Sequence, residues 1–262
     1  MVVLNNNNAL LRVYSRMVSC SFIALTCMAC FMFESMRGAI TQLCLIAFYV
    51  FSFQCYQDKE SPGTTYYAFL CIGLGSTVFV QILFFVPFLW LLAATQLNAL
   101  SWRTLAASLL GLLTPYWFAA GWMVLQNDFH MLTKHFTELA TILPVADYSG
   151  VTLQQTAVFA FTAVLALTGM IHFWRNSSYD KIRTRQLYGY FSSMTLLTAL
   201  FLVLQPQHYD ILMRLMIVNT APLAAHFITL THTKITNLAF IVITVVCLVL
   251  TAYNTWMSSS IF

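Results

Sequence analysis

Long runs of apolar residues, separated by short polar segments, form the dominant pattern along the chain. Each run is close to the ~20 residues that a helix needs to span a bilayer. Apolar and polar residues do not alternate within the runs, so the pattern predicts membrane helices rather than the strands of a closed barrel. The helices predicted in this way are residues 17–33, 38–55, 104–125, 152–174, 187–204, 210–230 and 236–257.

One further run, residues 66–97, carries no charge and is too long for one ordinary membrane helix. It either crosses the bilayer once or enters and returns. A single crossing divides the twelve Lys and Arg residues seven to five between the two sides, whereas a return divides them nine to three. Because the positive-inside rule requires a clear excess on one side, we predict a helical hairpin with arms at 62–77 and 79–97. The nine are Arg12, Arg16, Lys59, Arg103, Arg175, Lys181, Arg183, Arg185 and Lys234, and the three are Arg37, Lys134 and Arg214.

The local sequence favours the same hairpin. Ser61 followed by Pro62 is typical of a helix start, with a capping serine and a proline in the first turn. Gly73 and Gly75 precede Ser76 and Thr77, and this cluster predicts the turn. A hairpin that spans the bilayer and a shallow re-entrant hairpin both return the chain to the side from which it entered. The charge pattern therefore does not distinguish these two structures.

The composition excludes a water-soluble globule. Hydrophobic residues make up 60% of the chain and charged residues 8%, against roughly 25% charged residues in a soluble domain. We therefore predict an all-α polytopic membrane helical bundle of about nine membrane segments, forming a single integral membrane domain over residues 1–262. The charge bias predicts a cytoplasmic amino terminus and an exterior carboxyl terminus. Apolar residues at helical spacing within 126–147 predict an amphipathic segment on the exterior surface.

Glu34 is the first residue that could carry chemistry. It ends the first predicted helix beside the first exterior loop, and Arg37 follows three residues later. One interpretation is an interfacial ion pair at i,i+3 spacing, worth about 0.2–0.5 kcal/mol. The other is a carboxylate at the membrane face that acts as the general base on a hydroxyl acceptor.

Asp210 and Arg214 form the second candidate. Their i,i+4 spacing places them on one helix face, with Arg214 about one turn inside the predicted membrane segment. An arginine at that depth facing the exterior leaflet fits a bidentate phosphate clamp. It fits equally well a side chain that reaches back to the interface beside Asp210. The predicted substrate- or phosphate-binding residues are Arg214, Asp210 and Arg37.

Metal and cofactor chemistry is not predicted. His135 and Glu138 are three residues apart on the exterior segment, close to His130, but no compact set of three or four ligands follows. Nucleotide-binding and hydrolase motifs are missing from the sequence. The basic loop 175–185 is interpreted as a topology signal that fits contact with anionic headgroups. The remaining histidines, interpreted as interfacial polar residues, are His172, His208, His226 and His232.

Two stretches carry a resemblance to known membrane proteins. They are "LNALSWRTLAASLLGLLTPYWF" at 97–118 and "LQPQHYDILMRLMIVNTAPLAAHFI" at 204–228. Together with 66–97, they resemble an uncharacterised family of bacterial polytopic inner-membrane proteins, a domain of unknown function. That resemblance implies an inner-membrane location and brings no activity with it.

A weaker similarity is to membrane-embedded glycosyltransferases of the GT-C type. It rests on the hairpin "FLCIGLGSTVFVQILFFVPFLWLL" and on the helix that begins "WRTLAASLL". Those enzymes transfer sugars from polyprenyl-phosphate carriers at the exterior face and have an acidic residue, usually Asp, in the first exterior loop, where this chain has Glu34. Their first exterior loop is also longer than the one here. The similarity implies either a catalytic role or a degenerate site that only binds the lipid carrier.

The leading functional hypothesis is a step in envelope glycan or glycolipid assembly at the exterior face. Glu34 would be the base and Arg214 the phosphate clamp. The alternative is a non-enzymatic scaffold or subunit, or a small lipid or solute transporter that depends on polar residues such as Asn219, Thr220 and His226. The expected partners are the lipid bilayer and a polyprenyl-phosphate-linked sugar. No nucleic acid and no cofactor are expected.

Overall fold

The structure, a computed structural model, is built from helices. It describes residues 1–126, 137, 139, 147–231 and 233–259, and these form ten α-helices joined by turns and short 3-10 segments. The helices are α1 (Val2–Asn8), α2 (Met17–Met28), α3 (Met36–Ser52), α4 (Pro62–Val78), α5 (Val86–Thr95), α6 (Trp102–Gln126), α7 (Leu153–Asn176), α8 (Ile182–Leu204), α9 (Tyr209–Thr229) and α10 (Lys234–Ser259). The prediction of an all-α fold is confirmed.

Within the described residues, six helical segments are long and apolar enough to cross a membrane, which is the signature of a multi-pass membrane protein. They are Met36–Cys55, Trp102–Met123, Leu153–Tyr179, Ile182–Leu204, Pro206–Thr229 and Thr236–Met257. Met17–Met28 and Val80–Thr95 are shorter apolar helices. The count of about nine membrane segments stays a prediction. The predicted amphipathic segment 126–147 falls almost entirely outside the described residues.

The chain divides into two compact units. The first unit comprises residues 1–39 and 146–262, and the second comprises residues 40–145. The predicted single membrane domain over residues 1–262 stays a prediction.

The second unit contains the hairpin. The α4 helix ends at Val78, a 3-10 segment covers Val80–Phe85, and α5 follows to Thr95. The backbone N–H of Gln57 donates to the Leu97 carbonyl over 2.8 Å, so the two ends of the segment meet. Phe69 on α4 also lies beside Trp90 on α5, with ring centroids 6.4 Å apart. The chain therefore reverses direction between α4 and α5, and α4 begins at Pro62 as the proline predicted. That the hairpin enters a membrane and returns stays a prediction.

Glycine allows α4 and α6 to pack closely in the same unit. A Cβ atom built on Gly111 would lie 2.5 Å from the Tyr66 carbonyl oxygen, and one built on Gly73 would lie 2.9 Å from the Leu112 carbonyl oxygen. Small residues at such positions let two helix backbones approach within the membrane, where packing rather than the hydrophobic effect holds helices together.

The first unit is organised around α9, which packs against α2, α7 and α8. Gly169 sits where α7 meets α9, because a Cβ atom there would lie 2.7 Å from the Leu223 carbonyl oxygen. Both helices run in the same direction, so the residues one turn further on, His172 and His226, also come together. Arg12 and His226 both contact Asp180, so the amino-terminal segment, the end of α9 and the loop before α8 meet at one end of this unit. We call it the basic end, because it holds Arg12, Arg16, Arg175, Lys181, Arg183, Arg185 and Lys234.

Candidate functional site

A group of ionisable residues with two fully enclosed side chains lies at the basic end of the first unit. The Asp180 side chain is fully enclosed, with 0% of its surface exposed, and so is the side chain of His226. The His226 Nε2 atom is 3.2 Å from Asp180 Oδ2, and the Arg12 Nε atom is 2.5 Å from Asp180 Oδ1. One buried carboxylate therefore holds a guanidinium and an imidazole at the same time.

A second histidine extends this arrangement. The His172 Nδ1 atom is 3.2 Å from His226 Nδ1, so the two imidazoles share a hydrogen bond. An ionised carboxylate only accepts, which places a proton on His226 Nε2. The Nδ1 atom of a neutral His226 is then an acceptor, and His172 donates to it. We refer to Arg12, Asp180, His226 and His172 as the carboxylate–histidine chain.

Two helices and two connecting segments bring the carboxylate–histidine chain together. His172 lies near the end of α7, His226 near the end of α9, and Asp180 in the short connection between α7 and α8. Aromatic rings enclose His226, since its centroid is 4.8 Å from that of Tyr188 and 5.7 Å from that of Phe173. The low-dielectric surroundings strengthen the hydrogen bonds within the chain and make any unpaired charge there costly.

The amino-terminal segment, residues 1–16, supplies the arginine. Leu4 and Leu10 are fully buried and anchor this segment. The Arg183 Nη2 atom donates to Asn8 Oδ1 over 2.9 Å, and Arg12 Nη2 donates to the Asn176 carbonyl over 3.0 Å. About a third of the Arg12 side chain (34%) stays exposed, so it is the member of the chain that water can reach most easily.

The residues predicted from the sequence to carry chemistry lie at the opposite end of the same unit. Glu34 is exposed at the end of the 3-10 segment Cys30–Glu34. The Arg214 Nη2 atom donates to the carbonyl oxygen of Met32, two residues before Glu34. Gly38 makes room for this arginine, since a Cβ atom there would lie 2.7 Å from Arg214 Nε. The fold thus brings Arg214 to the first predicted exterior loop.

Burial separates these predicted residues. Arg214 is 3% exposed, whereas Arg37 is exposed and Asp210 is half-buried one turn before Arg214 on α9. A guanidinium that clamps a phosphate must be open to the ligand, and here the Arg214 side chain is turned towards the backbone of Met32. The catalytic role of Glu34 and the binding roles of Arg214, Asp210 and Arg37 stay predictions.

Metal ligands do not gather in the part of the chain that the structure describes: no group of three or more His, Cys, Asp or Glu side chains is arranged to hold an ion there. His130, His135 and Glu138, which the sequence singled out as a weak metal candidate, lie outside the described residues. Asn219 and Thr220 are both fully buried on α9.

An apolar cavity of about 250 Å³ opens among α2, α7, α9 and α10. Helix α10 reaches α2 at one side, with Cys247 Sγ 3.6 Å from the Ala24 carbonyl oxygen. The cavity is lined almost entirely by apolar side chains, among them Ala24, Leu25, Phe161, Leu165, Ala224 and Leu248. It lies on the face of α9 that carries Ala224 and Ile228, towards the basic end of the unit.

The sequence alone did not predict the carboxylate–histidine chain. The loop 175–185 was interpreted as a topology signal and the histidines as separate interfacial residues. One signal was present. Asp180 is the only acidic residue in that basic loop, and nothing about topology requires it. The partners of Asp180 are 168 and 46 residues away in the sequence, so no local spacing could reveal them.

The chain was compared with protein families, curated proteins and solved structures. No protein-family model, no curated protein and no solved structure matches it.

Proposed function

We propose that this protein is a multi-pass membrane protein that binds a membrane lipid by its hydrocarbon chain. The observation that carries the proposal is the apolar cavity among α2, α7, α9 and α10. Around helices that cross a bilayer, the surrounding medium is hydrocarbon, and water gains nothing from entering an apolar opening of this kind. A lipid chain is the apolar material at hand to fill it.

The charges near the cavity favour an anionic headgroup. The cavity extends to Met17 on α2 and Phe240 on α10, and both helices begin at the basic end, beside Arg16 and Lys234. Lys and Arg at a membrane surface attract anionic lipids by about 1 kcal/mol each. By the positive-inside rule this end faces the cytoplasm. The lipid therefore lies in the cytoplasmic leaflet of a bacterial inner membrane.

Filling the cavity tests the proposal. Ala24 lines the cavity from an exposed position on α2, so Ala24→Phe places a ring in the cavity without displacing a buried side chain. Ala160→Phe is the matched control, because Ala160 is exposed on α7 and does not line the cavity. We expect native mass spectrometry of protein released from mild detergent to show a retained lipid in wild type and Ala160→Phe and its loss in Ala24→Phe.

The mass of the retained lipid also separates the functional hypotheses. A polyprenyl phosphate, with or without a sugar, would support the handling of such a carrier, but at the cytoplasmic leaflet rather than at the exterior face predicted from the sequence. A phospholipid would favour the scaffold or lipid-transporter alternative. If wild type retains no lipid, or if Ala24→Phe retains as much as wild type, the cavity is not a lipid site.

A second candidate is the glycan-assembly enzyme, and one observation favours it. The Arg214 guanidinium and Glu34 come from distant parts of the sequence but lie at one end of the unit, joined through Met32. For catalysis, Arg214 must exchange the Met32 carbonyl for a substrate phosphate, since charge-assisted bonds to phosphate are stronger than bonds to a neutral carbonyl. Glu34 is then the nearby exposed base.

A deletion strain tests this second candidate. It is complemented with wild type, Glu34→Gln or Arg214→Lys, and lipid-linked sugars and surface glycans are compared at matched protein abundance. An enzyme predicts that deletion alters the glycans and that Glu34→Gln does not restore them. Unchanged glycans in the deletion strain would remove the enzyme hypothesis and leave the lipid-binding proposal intact.

The finer topology belongs to the same proposal. Nine membrane segments, with a cytoplasmic amino terminus and an exterior carboxyl terminus, follow if the hairpin in residues 62–97 and helix α2 enter the membrane. Reporter fusions after Lys59, Arg103 and Arg185 are expected to give one common side. A fusion after Gln207 is expected to give the other.

A further inference from the structure

We propose that the carboxylate–histidine chain is a proton-binding site, in which a proton on His226 and the guanidinium of Arg12 compete for the single carboxylate of Asp180. The ligand is the proton itself. Its arrival weakens the attachment of residues 9–16, which connect α1 to α2. This site lies on the other face of α9 from the apolar cavity and does not depend on the lipid proposal.

Geometry gives the path of the proton. His172 is partly exposed, so its Nε2 atom can take a proton from water. His172 then passes its Nδ1 proton across the 3.2 Å contact to Nδ1 of His226. His226 becomes an imidazolium that still donates from Nε2 to Asp180, and His172 ends neutral with its proton on Nε2. One proton has been added, and no other bond has formed or broken.

The charge balance explains the competition. Before protonation, the positive charge of Arg12 offsets the negative charge of Asp180, and both imidazoles are neutral. Afterwards, two positive groups face one carboxylate in surroundings where an unpaired charge is costly. His226 and Asp180 are fully enclosed, but about a third of the Arg12 side chain is exposed. Arg12 is therefore the group that moves into water.

The surroundings of His226 contain few other charges to offset this effect. From α7 come His172 and, further out, Arg175, which adds positive charge near His172. From α8 comes the phenol of Tyr188, whose ring contacts His226. Ala225, which precedes His226, packs in an apolar cluster with Leu11 of the amino-terminal segment and Val18 of α2, and Arg16 precedes that helix. An added proton therefore has Asp180 as its counter-charge.

Hydrogen–deuterium exchange in nanodiscs measures the predicted release. After correction for the intrinsic effect of pH, we expect amides in residues 9–16 of wild type to exchange about tenfold faster at pH 4 than at pH 8, because this interval contains the ordinary histidine pKa and extends well below it, as an enclosed imidazole requires. His226→Gln cannot become a cation and is expected to exchange slowly at both values. Arg12→Gln and Asp180→Asn break the ion pair and are expected to exchange fast at both.

His208→Gln serves as the matched control, since His208 lies at the opposite end of the unit, and it is expected to behave as wild type does. Equal exchange of wild type at the two pH values would overturn the proposal. So would faster exchange of His226→Gln at pH 4, because the proton would then bind Asp180 directly.

A spectroscopic measurement covers the case in which a variant does not fold. Nitrogen-15 NMR of labelled histidines reads protonation at each ring nitrogen, and the variants His172→Gln and His226→Gln identify the signals of these two residues among those of the six histidines. We expect His226 of wild type to carry its proton on Nε2 at pH 8 and to become doubly protonated as the pH falls to 4. A His226 that keeps one proton throughout would contradict the proposal.

Discussion

Helices α9 and α10 follow each other in the chain and are both long enough to cross a membrane, yet they occupy opposite positions in the fold. The most apolar window of α9 has a mean hydropathy of 1.5 and is 83% buried. The corresponding window of α10 has a mean hydropathy of 2.2 and is 0% buried. The more apolar helix is the one left outside.

The physical reason is that hydrocarbon surrounds a membrane helix. An apolar side chain gains little by leaving lipid for the protein interior, whereas a polar side chain gains a partner there. Helix α9 carries Arg214, Asn219, Thr220 and His226, and all four are buried. Most side chains of α10 are apolar and can face lipid. Its buried Asn254 donates to the Met28 carbonyl over 2.7 Å.

The largest expected effect comes from separating α9 from its closest neighbour. Gly169→Val on α7 forces the two backbones apart, because even a Cβ atom would lie 2.7 Å from the Leu223 carbonyl oxygen. We expect a loss of about 3 kcal/mol, the upper end of the range for overpacking. Thermal unfolding in detergent measures it, with Ala252→Val at an exposed position on α10 as the control. Equal melting temperatures for the two variants would show that close packing matters no more at α9 than at the exposed surface of α10.

A smaller loss is expected when the buried charge of α9 is removed. Arg214→Met keeps most of the side-chain length but deletes the donor to the Met32 carbonyl. Hydrogen bonds to charged groups contribute about 1.5–3 kcal/mol, so we expect a cost of about 2 kcal/mol in the same unfolding assay. Arg103→Met provides the same chemical change at an exposed position near the start of α6. If Arg214→Met were as stable as the control, the buried arginine would have no structural role.

On α10, Asn254→Leu is expected to cost less. The change removes the bond to the Met28 carbonyl, and hydrogen bonds between membrane helices contribute about 0.6 kcal/mol on average and up to about 1.7 kcal/mol. Hydrogen exchange along α10 would show whether the loss is local. We expect faster exchange in α10 and no change in α9. A matching increase in α9 would mean that the outer helix supports the inner one.

The smallest effect is expected at Thr244 of α10. Its hydroxyl donates to the Phe240 carbonyl of its own helix over 2.8 Å, and the residue is exposed. Thr244→Val replaces an exposed group by one of similar size, so we expect a change within about 0.5 kcal/mol. Thr244 also lines the apolar cavity, so a larger loss in the unfolding assay would indicate that the wall of the cavity contributes to stability.

The hairpin shows how far charge patterning can lead. The apolar run 66–97 has no internal charge, but the lysines and arginines on either side of it predicted that the chain returns. The contact of Gln57 with Leu97 shows that the chain reverses direction. Pro62 marked the start of α4 because proline lacks the N–H that a helix interior needs. The break near residue 79 followed from the glycines before it. Each of these signals depends on neighbouring residues or on a sum of charges in the loops. The hairpin could therefore be predicted without the tertiary structure.

The candidate sites show the opposite case. Asp180 and His226 are polar residues of ordinary appearance, and their pairing depends on α7 and α9 lying side by side at Gly169. Arg12 joins them only because the buried leucines of the amino-terminal segment anchor it to the same end. Arg214 was recognised as an intramembrane charge, but its contact with Met32 could not be inferred from the i,i+4 spacing to Asp210.

The sequence by itself determined that the protein is helical, that it has multiple membrane-spanning segments, and that its chain reverses near residue 79, since these properties depend on composition, run length and the sum of charges in loops. Tertiary structure alone decided that α9 is inside and α10 outside, that one carboxylate serves both an arginine and a histidine, and that a cavity opens among four helices. In hydrocarbon the position of a helix follows from its few polar contacts, and those contacts join residues far apart in the chain.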